Sequence, residues 1–138
     1  MVHALTEAQR VLKPNGILID LRPAHKHRRA GLGEGKGWQM VGAMRESFDD
    51  DLAANRAATQ VIRAGLFHQE LLIEFDLDRV MDTLSDLRAW LDDFSTEKLP
   101  SHDWLYQRVE RALEKKRAGT KIAVRGLMRL GVMIKLRE

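Results

Sequence analysis

The densest group of side chains able to hold a ligand is His25-Lys26-His27-Arg28-Arg29, with Arg22 three residues before it. Cations and imidazoles at this spacing offer strong hydrogen bonds to a phosphate or carboxylate. The group lies just beyond Ile17-Leu18-Ile19-Asp20-Leu21, an apolar run that reads as a strand. Ligands of open α/β sheets bind beyond the carboxyl ends of strands. Arg22, His25, Lys26, His27, Arg28 and Arg29 are therefore a candidate anion-binding loop, and a plain solvated loop is the weightier competing reading. Two histidines one residue apart also suggest a metal, but the flanking cations oppose a divalent ion and no acidic ligand is near.

Other groups have simpler explanations. Asp49-Asp50-Asp51 read as the start of a helix, where negative charge complements the dipole. Glu70 and Glu74 alternate with apolar residues and read as the wet face of a strand. Gly31, Gly33, Gly35 and Gly37 follow a basic stretch and open no apolar helix, so they make a poor nucleotide fingerprint. Trp38, Trp90 and Trp104 are dispersed, as packing residues are. The chain has no cysteine, which excludes disulfides, thiolate metal sites and cysteine nucleophiles. No serine, histidine or aspartate stands in a recognisable nucleophile setting. No catalytic or metal residue is assigned.

Composition bounds the answer further. With 138 residues, 44% hydrophobic and 31% charged, the chain fits a single soluble domain. It shows no signal-peptide pattern and no run of ~20 apolar residues, so a cytoplasmic location away from membranes is expected. The net charge of +3 hides opposed blocks, acidic from Phe48 to Glu97 and basic from Arg108 to Arg137. Such blocks attract each other within a chain or across a dimer.

The positioning elements emerge from periodicity. Ala4, Leu5, Ala8, Val11 and Leu12 mark a short helix, stopped by Pro14-Asn15-Gly16. Ile17–Leu21 does not alternate and reads as a strand buried on both faces, ended by Arg22-Pro23. Residues 24–37 read as a mobile loop, and Trp38 to Met44 as a short extended segment. A helix is expected from Asp49 to about Gly65, with Ala54, Ala58, Val61 and Ile62 inward. Phe67 to Leu77 alternates as a strand whose odd positions are buried. Thr83 and Asp86 cap a helix with Leu84, Leu87, Leu91 and Phe94 on one face. After a break from Lys98 to Ser101, a helix runs to about Gly119 with Leu105, Val109, Ala112 and Leu113 inward. From Ile122 on, Val124, Met128, Leu130, Val132 and Ile134 alternate with basic residues including Arg125, Arg129, Lys135 and Arg137. This exceeds the usual ~5–6 residues of a strand, so a bend, bulge or hairpin is expected at Gly126 or Gly131.

Arg10-Val11-Leu12-Lys13-Pro14-Asn15-Gly16, within Ala4 to Ile19, is similar to a segment of class I S-adenosylmethionine-dependent methyltransferases. In that family an Arg-Val-Leu-Lys-Pro-Gly-Gly stretch joins a helix to the fifth strand. Asn15 stands where glycine is usual and also tolerates the left-handed turn. The resemblance implies the C-terminal half of that fold: α/β, partial Rossmann-like, spanning 1–138 as one domain. It implies a mixed sheet of about three to five strands with an antiparallel C-terminal strand or hairpin, packed by about four helices. The family's cofactor-binding strand, glycine turn and ribose-binding acid would lie before Met1, so no cofactor residue carries over.

The resemblance and its missing half together imply a non-catalytic methyltransferase-like protein that needs no cofactor. It would act as a homodimer, or docked to a protein partner, through the unpaired edge of Ile17–Leu21. The alternative is the C-terminal part of a methyltransferase whose S-adenosylmethionine-binding half is missing or supplied by another chain. A nucleic-acid-binding module using the basic tail comes third, since that tail lacks aromatic residues for base stacking.

Overall fold

Proline, asparagine and glycine in succession set the first corner of the chain. A computed structural model, describing residues 1–94 and 101–136, has helix α1 (Val2–Val11) before this corner and strand β1 (Ile17–Pro23) after it. Asn15 takes φ 61°, the left-handed conformation expected of it. Gly16 is there for space, because a Cβ would stand 2.7 Å from the Lys13 carbonyl oxygen. The buried Lys135 ammonium donates to the Leu12 carbonyl at 2.8 Å and so satisfies the open end of α1, where the helix dipole favours a cation.

The chain continues through β2 (Arg29–Leu32), a single 3-10 turn (Gly35–Gly37), β3 (Gln39–Ala43) and α2 (Asp49–Arg63). Then come β4 (Phe67–Met81), α3 (Leu84–Phe94), α4 (Asp103–Glu114) and β5 (Ile122–Lys135). The fold is α/β, and among the described residues it has four helices and a five-stranded antiparallel sheet, as expected in class and number. β1 and β2 each pair with β5, and β3 pairs with β2. β4 also pairs with β5, and their ion pairs fix the direction. Asp82 meets Lys121, Asp78 meets Arg125 and Glu74 meets Arg129, four residues down one strand for four up the other.

The chain divides into two compact units. The first comprises Met1–His25, Phe48–Phe75 and Leu127–Glu138; the second, Lys26–Ser47 and Asp76–Gly126. In the first, Leu5, Ala57, Val61, Phe67 and Met133 form the core, with Leu12, Leu18 and Ile62 beside them. In the second, Leu32, Met44, Leu87, Leu91, Leu105, Val109, Ile122 and Val124 do. Each core is a helix stripe laid on alternate strand residues, the arrangement that removes both apolar faces from water. α3 begins with a reciprocal cap: Asp86 N–H donates to Thr83 Oγ1 at 3.1 Å, and Thr83 N–H to Asp86 Oδ2 at 3.2 Å.

Several expectations are corrected. Residues 24–37 are not one loop but hold β2 and the 3-10 turn. Gly31 permits β2, because a Cβ there would stand 2.4 Å from Trp38 Nε1 and from the Gln39 carbonyl oxygen. The tail is one 14-residue strand, not a hairpin. It can be this long because its parts have different neighbours: Ile122–Arg125 lie against β2, and Met128–Ile134 against β1. Gly126 falls between the two pairings and leaves the strand unbroken. α4 stops at Glu114, short of Gly119, which takes φ +84° in the turn beyond. β1 extends through Pro23, and it is not buried on both faces. The expected break from Lys98 to Pro100, and Arg137, lie outside the described residues.

Candidate functional site

In the first unit β5 lies between β1 and β4, and the two sides of these three strands differ sharply. Leu18, Phe67 and Met133 turn to the core under α1 and α2. Asp20, Arg22, Leu72 and Arg129 line a space beneath α2. The opposite side is apolar except near the start of β4, where His68 and Glu70 stand 3.6 Å apart. Across β1 and β5 the facing pairs are Ile17 with Ile134, Ile19 with Val132, Leu21 with Leu130 and Pro23 with Met128. The ion pairs that align β4 with β5 bring Leu71, Ile73 and Phe75 onto this same side. These eleven positions include no charged residue.

That side is open. Ile17, Ile19 and Leu21 are 60%, 66% and 55% exposed, and Leu71 and Ile73 are 43% and 42% exposed. The β5 residues between them are half-buried. Of the odd positions expected to be buried, Phe67 is buried and Phe75 half-buried, while Gln69, Leu71, Ile73 and Leu77 are exposed. Phe67 joins the core, whereas beyond it the even-numbered Leu72 faces α2, so the alternation slips by one residue between them, as at a β-bulge. Apolar exposure of this extent is on the order of 500 Å², the size at which patches on soluble proteins mark interaction sites.

The helix-covered side is polar and internally balanced. Arg22 Nε donates to both Asp20 carboxylate oxygens, at 2.8 and 3.0 Å. Arg22 Nη1 and Arg129 Nη1 both donate to Asn55 Oδ1, at 2.7 and 3.0 Å. Arg129 reaches Glu74 at 3.4 Å, while its buried Nε has no partner among the described residues. These groups, with Thr59 and Gln69, border a cavity of about 120 Å³. That is room for a few waters and far below the ~300–1,000 Å³ of most small-molecule sites. A wider groove of about 480 Å³ runs along α2, but among the described residues only that helix lines it.

The residues of the expected anion loop are divided. Arg22 and His25 belong to the first unit, and His25 Nδ1 lies 3.5 Å from Asn55 Nδ2. Lys26, His27, Arg28 and Arg29 belong to the second. There Lys26 is exposed, and His27 Nδ1 accepts the Glu46 N–H at 3.2 Å. Arg28 pairs with Glu46 and stands 4.8 Å from the centre of the Phe94 ring. Arg29 reaches Asp76 at 3.3 Å and lies 5.7 Å from the Trp38 ring. All three arginines of the group thus meet a carboxylate. Asp20 is a near neighbour of Arg22 in sequence, whereas Glu46, Asp76 and Asn55 come from further along the chain, and of the carboxylates only Asp76 falls in the acid-rich block from Phe48 onward.

The tail's cations are engaged in the same way. Arg125 Nε donates to Asp78 Oδ1 at 2.7 Å, and its guanidinium stands 4.2 Å from the Trp38 ring. Hydrogen bonds from Arg125 hold the Asp78 carboxyl below its usual range, and those to Asp82 raise the Lys121 ammonium. The glycine cluster serves packing and turns: Gly31 admits Trp38, and Gly33 takes φ +93°. It does not fit a cradle for an adenosyl cofactor, since the cluster builds an edge of β2 and a turn, not the entry to a helix. Among the described residues no group of three or more histidines and carboxylates could hold a metal, and no helix is long and apolar enough to cross a membrane. No protein-family model, curated protein or solved structure matches the chain.

Proposed function

We propose that this chain is a methyltransferase-like interaction protein that performs no chemistry itself and acts through protein–protein contact, by self-association or by docking a partner. The carrying observation is the apolar side of β1, β5 and β4, open to solvent in the first unit. Burying such a surface is worth ~25 cal/mol per Å², so it drives association wherever a complementary surface exists. Two features support the resemblance. The Arg10–Gly16 segment forms the expected helix, turn and strand, and the last strand runs antiparallel to β1. A cytoplasmic setting accords with this role.

The second reading is the C-terminal part of an S-adenosylmethionine-dependent methyltransferase whose cofactor-binding half is supplied elsewhere. One observation favours it: among the described residues β1 pairs only with β5, so its other edge is free to accept a strand. Nucleic-acid binding has no such support, because Lys121, Arg125 and Arg129 each meet a β4 carboxylate or the aspartate just beyond that strand. Calorimetry with S-adenosylmethionine separates the readings. We expect no heat of binding from this chain alone at millimolar ligand. Saturable binding with one-to-one stoichiometry overturns the non-catalytic reading.

A further inference from the structure

We infer that the second unit takes an extended acidic segment of a partner protein as an added strand on β3, with the segment's carboxylates meeting a line of cations on α4. The inference rests on the reading of the chain as an interaction protein and names the kind of partner. It draws on the second unit alone, not on the open apolar side of the first.

β3 offers an unguarded edge. It closes one end of the sheet, and no described residue pairs with its outer side. Soluble proteins usually protect such an edge with a charge or a proline. Gln39-Met40-Val41-Gly42-Ala43 has neither, and Gln39 and Met40 are exposed.

α4 runs antiparallel along this strand. The helix begins beside the strand's end, where Gly42 makes room for Leu105 and Trp104, and the Arg45 N–H donates to His102 Nε2 at 3.1 Å. The helix finishes beside the strand's start, where Lys116 Nζ donates to Gln39 Oε1 at 3.1 Å. α3 flanks one side of α4, since Arg88 pairs with Asp103 and stands 3.9 Å from the Tyr106 ring. The helix period puts Glu110 and Glu114 on that same side. The other side carries Arg108, Arg111 and Lys115, at steps of four, three and four from Trp104. All three are exposed, and among the described residues none has a carboxylate within ion-pair distance. Arg28, Arg29, Arg88, Lys121 and Arg125 of the same unit each have one.

Edge and cations together select the partner. Unneutralised cations attract any polyanion, but only a polypeptide also brings N–H and C=O groups to a strand edge. Side chains on one face of the added strand recur every ~7 Å. The cations of α4 stand ~5–6 Å apart along the helix axis, close enough for glutamates at alternate positions to reach them.

The test is fluorescence anisotropy of the whole chain with a labelled decapeptide of alternating threonine and glutamate. Saturable binding is expected, with a Kd on the order of 10–100 µM at about 20 mM salt and severalfold weaker at about 200 mM. Arg108→Glu and Arg111→Glu together should weaken it by at least about tenfold. Both side chains are exposed, so the fold is expected to persist by circular dichroism. The same peptide N-methylated throughout keeps its charge but cannot pair as a strand, and should also bind at least about tenfold more weakly. A single-stranded oligothymidylate of the same length should bind more weakly than the peptide. The inference is overturned if the peptide fails to saturate, if the N-methylated peptide or the oligonucleotide binds as tightly, or if the double reversal changes nothing. None of these results touches the non-catalytic reading, which falls only on binding of S-adenosylmethionine.

Discussion

Arg125 meets three groups at once: the Asp78 carboxylate, the Gly35 carbonyl at 3.1 Å and the face of Trp38. Trp38 is fixed in turn, its Nε1 donating to the Ala123 carbonyl at 3.0 Å. Both partners of the ion pair are about four-fifths buried, which lifts it above the surface pairs that contribute little. Because Arg125 lowers the folded pKa of Asp78, the pair stabilises fully above the unfolded carboxyl value of ~4. That stability is lost as pH falls through the lowered folded value. Asp78→Asn should therefore cost about 1–2 kcal/mol at pH 7 in urea unfolding. Between about pH 4 and 2 it should lose less stability than the wild type. Parallel acid profiles for the two proteins would mean that the pair contributes nothing to acid sensitivity. Exposed pairs such as Glu7–Arg10 should show no comparable effect, despite good geometry.

At the scale of the element, local signals were the legible ones. The Thr83–Asp86 cap, the Asn15 turn and the inward faces of α3 and α4 were readable because each depends on residues within a few positions of one another. Thr83→Ala should lower stability by about 1 kcal/mol, seen as a lower thermal midpoint, with the second unit's helices still formed. Asp86→Ala should match it, since each removes one of the two reciprocal bonds. What sequence could not give was tertiary. Ile17–Leu21 looks fully buried because its helix-facing side carries Leu18 and its far side Ile17, Ile19 and Leu21, and apolarity does not say whether a layer covers it. The basic residues of β5 looked like a ligand surface because their carboxylate partners sit about fifty residues upstream on β4. Arg22 has its carboxylate partner Asp20 two residues away, but its second partner, Asn55, comes from α2, and nothing local points to it.

At the scale of the whole molecule, β5 dominates. Among the described residues, β1, β2 and β4 all pair with it, and only β2–β3 pairs without it. The two units are thus threaded from five chain segments, and each takes a share of the same strand. A chain made only as far as Gly119 keeps only the β2–β3 pairing and should lose most of its strand signal by circular dichroism and its cooperative melt. A cooperative transition in that fragment would mean the sheet has another organiser. The order of synthesis gives this strand a further consequence. While the ribosome is still working toward Ile122, β1 and β4 have been made but have nothing to hydrogen-bond, and an apolar ribbon such as Leu71-Leu72-Ile73 stays unprotected. The long sequence separation of these pairings also slows the final search. A nascent chain of this design would therefore close its sheet only once β5 has left the exit tunnel.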